Sequence, residues 1–169
     1  MTTTVTTPWT FIAECLREEL ADYGGLLHLF EVQQRALFDR EPDTVLRLAN
    51  EIEAHARTLS ITRTRREEAV SAFALQQGRP SSSSLRSLLP LIEADARPLL
   101  EALINEVNAL LHRVRRTSRH NHSLLSRAVE VHQETLAQLR PHSFTKTYSP
   151  GGRVSVAASQ PATTLRAAG

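Results

Sequence analysis

Hydrophobic residues recur every three or four positions along most of this chain, and polar residues fill the gaps. Ile12, Leu16, Leu20, Tyr23, Leu27, Phe30, Leu37 and Phe38 draw one stripe, which predicts a first amphipathic helix. Thr7 is placed to cap it and Pro8 suits its first turn. Gly24-Gly25 interrupts the stripe at about 1 kcal/mol per glycine relative to alanine, so a bend or local opening is expected there. "DREPD" ends this helix and starts a second, because Pro42 has no N–H to donate and fits an N-terminal turn. Val45, Leu48, Ile52, Leu59, Val70 and Phe73 mark the second helix, with the polar stretch "TRTRREE" in its later half and Gly78 as its stop. The linker "RPSSSS" follows, and its last serine can cap the short segment "LRSLL". Pro90 and Pro98 break or kink the approach to a third helix.

From Leu100 the spacing becomes regular. Leu100, Ile104, Val107, Leu111, Val114, Ser118, Asn121, Leu125, Ala128, His132 and Leu139 fall on steps of four and three. This is a heptad seam of about six repeats, on the order of 60 Å long. One such helix cannot bury its own seam. It requires the first two helices packed antiparallel to it, a second copy, or a client. Ser118 and Asn121 put polar groups on the seam, which fixes register or marks where a partner takes over. Beyond Arg140-Pro141 the helical signal stops. Residues 142–169 hold no acid and few large apolar side chains, so a mobile tail is expected. The fold class is therefore all-α: an elongated antiparallel bundle of about three long helices over 1–141, with a disordered C-terminal tail over 142–169.

Composition narrows the function. With 169 residues and 41% apolar content the chain suits one domain or a few very long helices, and 5% aromatics argues against a sheet sandwich. Twenty basic and 18 acidic residues leave a formal charge of +2 and a pI near 9.2, a weak signal for a polyanionic partner. All the basic residues except Lys146 are arginine. Cys15 is the single cysteine, which excludes an intrachain disulfide and a thiolate metal cage and reads as a small buried hydrophobe. No apolar run approaches the roughly 20 residues of a spanning helix, and the N-terminus lacks the features of a cleaved signal. A cytoplasmic protein without membrane insertion is expected.

Catalytic chemistry is absent from the pattern. There is no phosphate loop, HExxH, GxSxG or paired-cysteine spacing, so no enzyme and no cofactor are predicted. His112, His120 and His122 crowd one stretch, but His120 and His122 diverge by about 200° on a helix and have no acid or cysteine at i+3 or i+4, so no metal is expected. Arg113, Arg115, Arg116 and Arg119 could meet nucleic acid. Without stacking aromatics, and diluted by Glu101, Glu106, Glu130 and Glu134, they read instead as a solvated face or a contact with an acidic protein.

The C-terminal third carries a resemblance. "NHSLLSRAVEVHQETLAQLRPH" followed by "TKTYSPGGRVSV" places an Asn ahead of Leu-Leu, a helix ending in Leu-x-Pro, and a tyrosine three residues before a glycine turn. This order resembles the FlgN family of flagellar export chaperones. The resemblance implies a cytoplasmic helical chaperone that holds hook-associated junction proteins, by their C-terminal helical segment, until the flagellar type III apparatus exports them. It places client binding on Asn121, Leu124, Leu125, Ala128, Val129, His132, Leu136 and Leu139, and docking to the export gate on Tyr148. The family's chaperones are often acidic, and this chain is basic. Independently of the resemblance, an amphipathic ring in a mobile segment is suited to a hydrophobic dimple on a partner. Tethering of Tyr148 back to the bundle and a structural coiled-coil homodimer remain the alternatives.

Overall fold

The computed structural model describes residues 8–139, 144–148 and 154–158. Helix α1 (Pro8–Phe38), α2 (Pro42–Gln76), the single-turn α3 (Leu85–Leu88), a 3-10 turn (Leu89–Leu91) and α4 (Arg97–Leu139) precede two strands, β1 (Phe144–Tyr148) and β2 (Val154–Ala158). The three expected long helices are present, and the "LRSLL" segment adds a fourth short one. Compact units divide the chain at Met1–His122 and Ser123–Gly169.

The helix borders follow local chemistry. Pro8 opens α1 and Pro42 opens α2, each at a position that needs no intrahelical N–H. The Thr7 cap lies outside the described residues. α2 stops at a Schellman motif: Gly78 takes φ 67, its N–H reaches Leu75 O at 3.0 Å, and Arg79 N–H reaches Ala74 O at 2.8 Å. α1 ends in the same way without a glycine. Arg40 takes φ 58, and Glu41 N–H bonds Ala36 O at 3.0 Å. Ser84 caps α3 by accepting from the Ser87 N–H, as the linker serine was expected to do.

α1 and α2 pack antiparallel. Asp22 meets His55 and Thr62, Glu18 meets Arg65 and Glu19 meets Arg66, so numbers rise along one helix as they fall along the other. The main core gathers Ile12, Leu16, Leu26 and Leu27 of α1, Leu59, Val70 and Phe73 of α2, Leu85, Leu88, Leu89 and Ile92 of the connector, and Leu100, Val107 and Val114 of α4. A smaller cluster of Ala36, Val45 and Leu48 seals the α1–α2 turn. Each fully buried side chain such as Ile12 or Leu100 stabilises by about 1.5–3 kcal/mol.

Three details differ from the expectation or go beyond it. α1 runs unbroken through Gly24-Gly25. A Cβ on Gly25 would lie 2.8 Å from the His55 ring, so this glycine serves a close helix–helix approach. The "TRTRREE" stretch packs: Thr62 is buried and Arg66 pairs with the fully buried Glu19. Finally, the all-α expectation holds for the helical region, and two short strands are added at the C-terminal end. β1 and β2 pair antiparallel with Phe144 opposite Ala158 and Tyr148 opposite Val154. Phe144, Thr145, Thr147, Tyr148, Val154 and Val156 favour extended backbone, a preference that helical periodicity does not register. The remaining residues of the expected tail, 142–143, 149–153 and 159–169, lie outside the described residues.

Candidate functional site

The heptad seam of α4 is covered along its first half and bare along its second. Leu100, Val107, Val114 and Asn121 are buried, and Ile104, Leu111 and Ser118 are partly buried. Past Asn121 the spacing of the seam is unchanged but its exposure is not. Leu124 is half-buried, whereas Leu125, Ala128, Val129, His132, Leu136 and Leu139 are all exposed, Leu125 at 42% and Leu139 at 73%. Apolar residues of this size aligned on one helical face form a continuous hydrophobic patch, unlike singly scattered surface leucines.

Asn121 stands at the change and belongs to the covered side. Its Nδ2 donates to Phe30 O at 2.7 Å and to Gln33 Oε1 at 3.2 Å, both on α1. Only 3% of it is exposed, and Gln33 is buried beside it. The carbonyl of Phe30 accepts and cannot donate, which settles the orientation of the amide. Asn121 is thereby committed to holding α4 in register on α1, and the accessible face begins after it. His132 turns a ring N–H onto its own helix, with Nδ1 2.8 Å from Ala128 O. Tyr148 is the last residue of β1.

The opposite side of α4 is basic. His112, Arg113, Arg116 and Arg119 line an open hollow of about 480 Å³. Arg113 sits 4.0 Å from Glu31, and Arg119 donates to Arg115 O. Among the described residues no group of three or more His, Cys, Asp and Glu could hold a metal ion. No helix among them is long and apolar enough to cross a membrane.

Polar contacts that the periodicity did not reveal lie between α1 and α2. Glu19 is 1% exposed and accepts from Arg66 Nε, while Thr62 Oγ1 donates to Asp22 Oδ2 at 2.9 Å. Arg65 bridges to Glu18 and lies over the Phe11 ring at 5.1 Å. One signal was available for the buried pair: Glu19 falls three residues after Leu16 and four before Tyr23, on the stripe itself. Burial pushes the Tyr23 hydroxyl above its ordinary pKa, with Glu19 adding to the effect. Burial does the same to the Cys15 thiol.

Comparison with family models returned the family described as FlgN protein, matched over residues 11–155. The chain belongs to the FlgN family. The match extends from the first turns of α1 into β2, so both the covered bundle and the bare half of α4 lie within the FlgN pattern. FlgN proteins are a family of flagellar export chaperones. Searches of curated proteins and of solved structures returned no match.

Proposed function

We propose that this FlgN protein is a non-enzymatic cytoplasmic export chaperone that holds hook-associated junction proteins before type III export. The observation that carries the reading is the bare half of the α4 seam, from Leu124 to Leu139. An apolar face exposed along a helix is suited to amphipathic helical segments of a client laid along it. Client segments that lack structure alone lose conformational entropy on docking, so holding is reversible despite the apolar area buried. Tyr148 serves in delivery, docking at the export gate, while α4 carries client affinity.

The test uses three variants. Leu125→Asp and Leu136→Asp each abolish co-purification with junction proteins while far-UV circular dichroism stays helical, since both side chains are exposed. Tyr148→Ala keeps client affinity and lowers export. Retained client binding in both Asp variants, or normal motility with Tyr148→Ala, overturns the corresponding assignment. A homodimer through the same strip would appear as concentration-dependent mass with no client bound.

A further inference from the structure

The apolar stripe of α4 does more than lose its cover beyond Asn121; it also widens. In the covered half, two central rows, Ile104/Leu111/Ser118 and Leu100/Val107/Val114/Asn121, are flanked on one side by Leu103, Leu110 and Thr117, all partly buried. The other flank is polar and exposed: Glu101, Asn108 and Arg115. Three adjoining rows are thus apolar or buried, and α1, α2 and the connector share the core that closes over them. In the bare half the first flank continues as Leu124 and Val131, and the second flank turns apolar at Val129 and Leu136. Large apolar side chains now fall on three of four adjoining rows and Ala128 on the fourth, an arc of about 160° around the helix axis, with only His132, Thr135 and Gln138 polar among them.

A two-stranded coiled coil covers two central rows and leaves both flanks charged. One helix cannot reach both flanks here. Val129 and Val131 lie about 160° apart across the stripe, and both are half exposed, at 48% and 52%. Continuity with the covered half points the same way, because there even three rows are closed over by more than one helix. A second copy contributing a single α4 would leave one flank wet.

We infer that the client of this face presents two helices, one on each flank of α4, each about 16 residues long to match Leu124–Leu139. The inference rests on the chaperone reading and specifies the shape of what that chaperone holds. The second flank is bordered by the uncharged Ser126 and Gln133, and the first by Arg127 and Glu134. The two client helices therefore differ: the one on the first flank carries an acid opposite Arg127 and a base opposite Glu134.

Two matched variants of the full chain, Val129→Glu and Val131→Glu, test this with full-length hook-associated junction proteins of the same genome and hydrogen exchange read on the client. The expected result is two separate protected client segments. Val129→Glu deprotects one and Val131→Glu the other, each with about a tenfold loss of affinity. A single protected segment, or one weakened by only one of the variants, overturns the two-helix inference and leaves the chaperone reading standing. Concentration-dependent protection of residues 124–139 without client assigns the face to a second copy and also overturns it. Loss of helicity in either variant makes the strip internal core and has the same consequence. Absence of binding by any junction protein overturns the chaperone reading itself.

Discussion

Gly24 and Gly25 are neighbours in sequence with opposite roles. Nothing lies within 4 Å of a Cβ placed on Gly24, whereas one on Gly25 meets the His55 ring. His55 Nε2 donates to Asp22 O at 2.8 Å, a bond that a displaced ring gives up. Gly24→Ala therefore raises stability by about 1 kcal/mol, the helix-propensity gain. Gly25→Ala makes the same gain but loses about 2 kcal/mol through ring displacement and the lost hydrogen bond, so it falls about 2 kcal/mol below Gly24→Ala in urea unfolding. In a His55→Ala background the two substitutions become equivalent, which a double-mutant cycle measures. Sequence alone marked both glycines as helix-weakening and could not separate them, because the difference resides in a side chain 30 residues away from Gly25.

The α1–α2 pairing is decided by a polar seam as much as by its leucines. Glu19 is fully buried on Arg66, which is itself 21% exposed. Removing one partner strands a charge, so Arg66→Ala costs about 3 kcal/mol or more. Replacing both, as Glu19→Leu with Arg66→Met, costs little or stabilises, because the desolvation of two ions is avoided. Chemical denaturation of the single and double variants checks this. The exposed i,i+4 pairs Arg47–Glu51, Arg57–Glu53 and Arg63–Glu67 add only a few tenths of a kcal/mol each. Helix borders were legible at this scale, since Pro42, Gly78 and Ser84 act through their own backbone neighbours. The C-terminal strands were not read, because two five-residue segments lack the length of run on which the helical pattern was built.

For the whole molecule, core burial couples stability to alkaline pH. Cys15 and Tyr23 both have pKa values raised above their ordinary 9.0 and 10.0, chiefly by burial. The folded state then holds protons that the unfolded chain releases first. Their contribution is fully present below pH 9.0 and is lost as pH rises, first through Cys15 and above 10.0 through Tyr23. Thermal unfolding should show a falling midpoint from about pH 9, and in Cys15→Ala the onset moves up by about one pH unit, toward the titration of Tyr23. A flat profile to pH 11 would contradict the burial of these groups.

What the sequence determined by itself was local: three long amphipathic helices, their proline and glycine borders, and a seam running from Leu100 to Leu139 with Asn121 upon it. Helical periodicity and capping depend on residues within a turn or two of each other, so a linear reading reaches them. Where that seam is covered was decided only in the tertiary structure. The seam of α4 keeps its spacing across Asn121, and that spacing does not record that Phe30 and Gln33 of α1 meet this residue or that the seam beyond it is exposed. Coverage depends on the lengths and register of separate helices brought together, and so do the buried Glu19–Arg66 pair and the Gly25–His55 approach. Those relations come into being only when distant segments share one core.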